Sequence, residues 1–316
     1  MDVRSIDQAL PSSSGMMVAL SVFDGVHRGH RAILAEVKRL AAEHDVPVGV
    51  LLVDGGVHYG ARMLTTLEHR LELLDKVGGI AAAWVIPAEV HERPAEVVGM
   101  ALDLVRPKML CASAVLLKLG REKRLTPDEL DKLCEARDIT VHWLDGVLPG
   151  RSESIERLYT TRYISDLLDA GNVSVAGRLL GRAYEMRGQV EHGDHRGRTI
   201  GVPTANLSVS STLLIPAEGV YAGLAITDDG RRHAAAISLG RRATFYEDGW
   251  ELLEAHLLDF DEDIYGTQLR VLFTDHLRKQ QRFSAVDELI SQLKIDIALV
   301  RELDPLGQSR LSTAAD

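Results

Sequence analysis

Apolar runs and amphipathic segments alternate through the first half of the chain. Runs of consecutive apolar residues predict buried strands, and apolar residues at helical spacing predict the helices between them. The predicted strands are MMVALSVF (16–23), VPVGVLLV (46–53), AAAWVI (81–86), KMLCASAVL (108–116) and ITVHWL (139–144). The predicted helices are RAILAEVKRLAAEH (31–44), LEHRLELLDKV (67–77), PAEVVGMALDLV (94–105) and TPDELDKLCEARD (126–138), the last with a capping box. This alternation predicts an α/β fold with a parallel, doubly wound sheet.

The second half has a different pattern. From Tyr184 onward, short segments rich in Val, Ile, Leu and Thr are separated by glycines, which predicts a small antiparallel barrel. The segments are YEMRGQVEHG (184–193), GVYAGLAITDDG (219–230), RRHAAAISLG (231–240), ELLEAHLLDF (251–260) and QLRVLFTD (268–275). A helix follows at 284–304, with apolar positions at Leu289, Ile290, Leu293, Ile297 and Val300.

Two short helices, broken at Gly171–Asn172, are predicted for residues 160–181 between the halves. We place the domain boundary near residue 182, which gives an N-terminal domain at 1–182 and a C-terminal domain at 183–316. A length of 316 residues also favours two domains.

Composition narrows the classes of function. The chain is 46% hydrophobic and 26% charged, with a formal net charge of −10. This acidic balance argues against nucleic acid as a partner but leaves room for a nucleotide substrate, which needs only a few local donors. No run of about 18 apolar residues and no apolar signal segment is present, so we expect a cytoplasmic protein without a membrane partner. Cys111 and Cys134 lack metal-like spacing and are expected to be reduced thiols in or near a core.

The segment FDGVHRGH (23–30) joins the first long apolar run to a helix. It places His27 and His30 around Gly29, the H-x-G-H spacing of nucleotidylyltransferases. Imidazoles and backbone N–H groups at a helix start can bind phosphate, and Gly29 allows a nucleotide to lie against the backbone. The alternative is a turn with a structural role alone.

A second candidate site lies in GRTIGVPTANL. Gly197 and Gly201 allow close backbone approach, and Pro203 fixes the turn. The Thr204 hydroxyl is a candidate ligand for Mg²⁺ or donor to a phosphate oxygen, and the Asn206 amide is a candidate partner for a phosphate, a metal-bound water or a local backbone group. The spacing and lysine of a Walker A loop are absent. Taken alone, the segment is equally compatible with a tight turn that enters a strand.

These motifs belong to an ordered series. The series runs LGRAYEMRGQVEHGDHRGRTIGVPTANL, PAEGVYAGLA, AAISLGRRATF, LEAHLLDFDEDIYG, LRKQQRF and the closing helix. It resembles, over about residues 179–304, the riboflavin kinase domain of the bacterial bifunctional riboflavin kinase/FAD synthetase family. FDGVHRGH resembles the FMN adenylyltransferase domain of the same family. The resemblance implies a Rossmann-like nucleotidylyltransferase domain followed by a six-stranded antiparallel barrel with a C-terminal helix.

The resemblance also implies residue roles. Thr204 and Asn206 would hold Mg²⁺ and the ATP phosphates, and Glu254 would be the general base on the ribityl 5′-hydroxyl. Arg278 and Phe283 match the flap after the last strand; Arg278 is a candidate for phosphate or flavin, with a surface arginine as the alternative. The nucleotide-binding residues of the N-terminal domain would be Phe23, Asp24, Gly25, His27, Gly29, His30, Thr161 and Arg162.

The N-terminal domain departs from the family pattern. LLVDGGVHYGAR (51–62) and CASAVLLKLGRE (111–122) replace two of its motifs, and in TTRYIS the aligned arginine positions hold Tyr163 and Ser165. Losing one preorganised donor to developing charge costs about 10²- to 10³-fold in rate. We therefore expect weak or absent FMN adenylylation with the fold retained. The departures in the kinase domain, Ala183, Ser238 and Ala243, are mild.

The sequence thus predicts a riboflavin kinase that uses ATP and Mg²⁺, with riboflavin or FMN as the flavin ligand. Three alternatives stay open: a fully bifunctional enzyme that also makes FAD, a non-catalytic flavin or nucleotide binder, and an N-terminal domain that acts on another nucleotide such as CTP. The oligomeric state is also open.

Overall fold

The computed structural model describes residues 1–6, 15–54, 62–87, 92–114, 125–144, 159–192, 200–241 and 251–307. The chain forms two compact units, Met1–Tyr163 and Ile164–Asp316. The units divide earlier than the boundary proposed near residue 182, because the helical segment before it packs with the second unit. One such contact joins the amide of Ala217 to the carbonyl of Leu168 at 3.0 Å.

The first unit contains a six-stranded parallel sheet in the order β1-β4-β3-β2-β5-β6. Its strands are β1 (Asp2–Ser5), β2 (Met17–Ser21), β3 (Val48–Val53), β4 (Ala82–Ile86), β5 (Met109–Ala112) and β6 (Thr140–Trp143). Its helices are α1 (Arg28–Glu43), α2 (Leu67–Val77), α3 (Pro94–Val105) and α4 (Pro127–Glu135). The predicted doubly wound sheet is confirmed. The sequence pattern missed β1, a mostly exposed edge strand with a single apolar residue.

Both faces of the sheet are buried, which explains why its central strands are almost continuously apolar. On β2, Val18 and Leu20 pack in a cluster that includes Leu102 of α3. Met17 and Ala19 of the same strand pack in a second cluster that includes Leu34 of α1. Cys111 and Cys134 are buried and unbonded, as the sequence predicted, and burial raises their pKa values to about 12 and about 11.

The second unit is a closed barrel in the order β10-β11-β8-β7-β12-β9, with β9 paired to β10. All the pairings are antiparallel, which confirms the predicted six-stranded barrel. The strands are β7 (Tyr184–Glu191), β8 (Ala205–Val209), β9 (Gly219–Ile226), β10 (Arg232–Arg241), β11 (Glu251–Leu257) and β12 (Gln268–Arg278).

Among the described residues, three helices accompany the barrel: α5 (Thr161–Asp169), which begins in the first unit, α6 (Val173–Leu180) and α7 (Val286–Leu303). The interruption at Gly171–Asn172 falls where the sequence predicted it. Helix α7 covers the outer face of β9, where Val300 and Ala222 share a buried cluster. No helix within the described part of the chain is long and apolar enough to cross a membrane.

We predict that Gly223→Ala destabilises the barrel, because β9 and β12 approach each other closely at this residue. An added Cβ would collide with the Leu272 carbonyl oxygen and lie 2.6 Å from Cδ1 of Ile237. Overpacking of this kind costs about 1–3 kcal/mol. Native-state hydrogen exchange of the β9 and β12 amides measures the loss.

The matched control is Gly240→Ala on β10, where the nearest atoms belong to the Gln280 side chain at an ordinary 3.5 Å. Equal protection factors in the two variants would contradict the close-packing argument.

Candidate functional site

The first candidate site lies where the order of the parallel sheet reverses. Strand β2 has β3 on one side and β5 on the other, so its carboxyl end is a switch point of the kind that binds ligands in open α/β sheets. The chain leaves β2 through a turn in which Phe23, Gly25 and Val26 have φ values of 51°, 74° and 38°. Such left-handed geometry is uncommon for bulky residues and needs support from its surroundings.

Asp24 supplies that support. Its buried carboxylate accepts hydrogen bonds from the amides of Leu64 and Thr65, at 2.9 and 3.0 Å, and from the Thr65 hydroxyl at 2.9 Å. The same hydroxyl accepts the amide of Gly25 at 3.0 Å. Burial raises the pKa of Asp24, while Arg70 and these hydrogen bonds act in the opposite direction. Asp24, predicted as a nucleotide ligand, therefore holds the turn against the 64–65 segment.

The two histidines meet at the start of α1. His27 caps the helix, with Nδ1 accepting the His30 amide at 3.4 Å, and the two rings stack with centroids 3.8 Å apart. The Ser21 hydroxyl lies 3.4 Å from Nε2 of His30. Burial, together with the charges of His27 and Arg70, holds the pKa of His30 well below its ordinary value. A neutral His30 ring therefore sits beside the amides that open the helix.

Gly29 is required by packing inside the protein. A Cβ at this residue would lie 2.6 Å from the Tyr159 carbonyl oxygen and 3.0 Å from the His27 ring. Thr161 contacts the turn that follows β2, since its hydroxyl donates to the Asp24 carbonyl at 3.4 Å. Arg162 is exposed. The structure thus brings Thr161 and the Phe23–His30 segment together.

Arg70 was not predicted as part of this site. It is buried, and its guanidinium donates to the carbonyls of Val22 at 3.0 Å and Val53 at 2.9 Å, and to the Asp54 carboxylate at 3.1 Å. It therefore ties together the carboxyl ends of β2 and β3. A signal was present in the sequence, because Arg70 lies on the apolar stripe of α2 with Leu67 and Leu74.

The second candidate site lies on the barrel, where β8 pairs with β11. Asn206 and Glu254 are direct cross-strand partners. Their neighbours along both strands, Ala205 and Leu207 on β8 with Leu253 and Ala255 on β11, are buried. Because side chains alternate along a strand, Asn206 and Glu254 share the outer, partly exposed face.

The residues before β8 complete this site. Thr204 immediately precedes the strand and is partly exposed. Gly201 has a φ of +79°, a left-handed geometry that glycine adopts readily. Gly197, the other glycine predicted here, lies outside the described residues.

Two further side chains lie next to the pair, and sequence reasoning did not single out either. Gln280 donates to the Ser238 hydroxyl and to the Leu239 carbonyl, both at 2.9 Å, and Ser238 is the β10 partner of Glu254. The Nδ1 atom of His256 lies 2.7 Å from the Pro203 carbonyl oxygen. Neither contact leaves a signal in local sequence patterns.

Arg278 has a partner within the protein. Its guanidinium makes hydrogen bonds of 2.8–3.2 Å to both carboxylate oxygens of Asp296, a residue of α7 that is 1% exposed. In this structure it therefore fastens α7 to the end of β12. Phe283 is partly buried in the segment that follows β12.

The oxygen donors on the barrel suit a hard cation. Mg²⁺ is usually held by one or two protein oxygens together with substrate phosphates, rather than by a full protein cage. Thr204, Asn206 and Glu254 offer hydroxyl, amide and carboxylate oxygens of that kind. The described residues contain no group of three or more His, Cys, Asp or Glu side chains that could hold a metal ion.

Comparison with known proteins identifies both halves. A family model described as riboflavin kinase matches residues 180–303, and one described as FAD synthetase matches residues 10–91. The chain is therefore an enzyme that combines a riboflavin kinase domain with an FAD synthetase domain.

Relatives match along almost the whole chain. The bifunctional riboflavin kinase/FMN adenylyltransferase of Listeria monocytogenes is 30% identical over 89% of this chain and 90% of its own length. That of Pseudomonas fluorescens is 30% identical over 95% of this chain and 97% of its own length. The chain belongs to the bifunctional riboflavin kinase/FMN adenylyltransferase family.

A solved structure shares the fold. A protein from Streptococcus pneumoniae, described as a macrolide-efflux protein, is 24% identical with a TM-score of 0.78. The match covers 95% of this chain and 99% of that protein. At this level of identity the likeness concerns the fold alone.

We predict that His30 makes the stability of the first unit depend on pH. Its folded pKa is well below 6.5, so below about pH 6.5 the unfolded chain binds a proton that the folded chain does not. The free energy of unfolding then rises with pH in this window, by about 1.4 kcal/mol per pH unit for one proton. Urea unfolding of a Trp250→Phe background, followed by Trp84 and Trp143 fluorescence, measures the slope.

His30→Asn should flatten this slope. The matched control is His44→Gln, at the exposed far end of the same helix, which should keep it. An unchanged slope in His30→Asn would contradict the prediction.

Proposed function

We propose that the enzyme transfers the γ-phosphoryl group of ATP to the ribityl 5′-hydroxyl of riboflavin and releases FMN and ADP. The observation that carries this proposal is the direct pairing of Asn206 with Glu254 on the outer face of the barrel, with Thr204 one residue before the strand. A polar group for phosphate and a carboxylate for a proton are thereby held side by side.

Glu254 acts as the general base. Its carboxylate accepts the proton of the 5′-hydroxyl, whose oxygen forms a bond to the γ-phosphorus while the bond to the bridging oxygen of ADP breaks. The backbone that carries this carboxylate supports the proposal, because Glu254 lies within a closed barrel, paired with Asn206 on one side and Ser238 on the other. Preorganisation of this kind avoids the cost of ordering the groups during the reaction.

Thr204 and Asn206 are the residues proposed to hold Mg²⁺ and the ATP phosphates. When bound, Mg²⁺ would neutralise the negative charge on the phosphate oxygens. The two protein residues orient the phosphates toward the hydroxyl that faces Glu254. The glycine turn before Pro203 gives the phosphates access to the backbone.

Two proposals remain for the first unit. The missing family motifs favour weak or absent adenylyl transfer, but most of those segments lie outside the described residues. The alternative is full bifunctionality, in which the FMN phosphate attacks the α-phosphorus of ATP and pyrophosphate leaves. It fits the comparisons at least as well, because the relatives carry both activities in their names. The arrangement of His27, Gly29 and His30 at the switch point also favours it.

A Glu254→Gln variant tests the kinase proposal. Loss of a general base costs about 10²- to 10⁴-fold in kcat, while riboflavin binding should persist because the amide keeps the shape of the side chain. FMN formation measured by chromatography gives kcat, and flavin fluorescence gives binding. The matched control is Glu262→Gln, whose exposed carboxylate pairs with Arg231 and should leave kcat unchanged.

A non-catalytic binder would retain ligand and form no FMN in wild-type protein or either variant. That outcome would remove the kinase proposal.

Product analysis separates the two proposals for the first unit. Wild-type protein given riboflavin, ATP and Mg²⁺ is expected to release FMN. If FAD follows at a rate comparable with kinase turnover, the bifunctional alternative holds and His30→Asn should abolish FAD while leaving FMN formation intact. Substituting CTP for ATP in the FMN-to-dinucleotide assay tests whether the first unit uses another nucleotide.

A further inference from the structure

The ladder between β8 and β11 stops next to the residues proposed to bind phosphate. Its pairs are Leu253 with Leu207, Glu254 with Asn206, and Ala255 with Ala205. Continuing the same register would place His256 opposite Thr204. Pro203, just before Thr204, has no N–H and cannot donate a ladder hydrogen bond.

The side chain of His256 reaches the chain where the ladder stops. Its Nδ1 atom lies 2.7 Å from the Pro203 carbonyl oxygen. A carbonyl oxygen can only accept, so Nδ1 carries the hydrogen and donates it. A distance of 2.7 Å is at the short end of the range for N–H···O hydrogen bonds.

This hydrogen bond acts on Thr204 through the covalent structure. The Pro203 carbonyl and the Thr204 amide belong to one rigid peptide plane, so holding the oxygen sets the direction in which the backbone enters Thr204. On the other side of Pro203, Gly201 is exposed, and a Cβ placed there would meet no atom of the described residues within 4 Å. The His256 contact is thus a side-chain anchor just before Thr204, the residue that precedes β8.

We propose that His256 is a positioning residue for phosphoryl transfer, which acts by fixing the Pro203–Thr204 peptide and with it the Thr204 hydroxyl. This inference rests on the proposed kinase function of the barrel. His256 need not touch ATP or riboflavin. Its position two residues after Glu254 on β11 lets one strand supply both the base and the support for the phosphate-binding residue.

The expected kinetic signature is a split between the two substrates. His256→Leu keeps a side chain of similar bulk but removes the donor, so Thr204 should hold the phosphates less well. We expect kcat/KM for MgATP to fall about tenfold, the scale set by one lost hydrogen bond, and KM for riboflavin to change less than about twofold. A role in folding alone would not separate the two substrates.

His256→Asn is the conservative variant. Its amide nitrogen stands at the same number of bonds from the backbone as Nδ1 of histidine and can donate to the Pro203 carbonyl. It should restore most of the MgATP efficiency that His256→Leu loses. The matched control is His233→Leu on β10, whose ring packs against Phe260 and which lies five residues before Ser238, about 17 Å along the strand. This control should match wild type in kcat/KM for MgATP and in KM for riboflavin.

The experiment measures steady-state kinetics for both substrates in the wild type and three variants, together with thermal unfolding. The proposal is supported if kcat/KM for MgATP is lower in His256→Leu than in His256→Asn and is near the wild-type value in His256→Asn. It is overturned if His256→Leu has the wild-type value, or if a folded His256→Asn has a value as low as that of His256→Leu. A wild type that forms no FMN would instead remove the kinase function.

Nitrogen NMR of the His256 ring in wild-type protein gives a test that needs no folded variant and no activity. The proposal requires hydrogen on Nδ1. A ring with its hydrogen on Nε2 alone would overturn the inference even if the enzyme is an active kinase.

Discussion

The register between β8 and β11 is the constraint on which the barrel site depends. It places Asn206 opposite Glu254 on the outer face and the apolar residues beside them in the interior. A shift of one residue would reverse both faces, burying the polar pair and exposing the core. Closure of the barrel opposes such a shift, because every strand has two partners and no edge is free to slide.

In the first unit, buried charged groups hold the candidate site in place. Its switch-point turn contains bulky residues in left-handed geometry, and the Asp24 carboxylate holds that turn through three hydrogen bonds. Arg70 fixes the ends of the two adjoining strands by binding their carbonyls. The histidine pair at the start of α1 therefore sits on a frame set by charged residues that are themselves almost inaccessible.

Two charged residues that the sequence offered as ligand-binding candidates have structural contacts within the protein. Asp24 holds the switch-point turn, and Arg278 holds the closing helix. Family membership accounts for the presence of both domains, whereas these structural roles come from the contacts of each side chain.

The sequence by itself determined the elements with strong local signals. Helices α2 and α3 match their predicted bounds, and the Thr126–Glu129 capping box of α4 forms as predicted, because periodicity and capping depend on neighbours within a turn or two. The two site motifs are also local. Only the tertiary structure decided that Asn206 faces Glu254, that Arg278 binds Asp296 and that His256 holds Pro203. These contacts join residues distant in sequence, and their geometry follows from sheet register and helix docking, which local patterns do not encode.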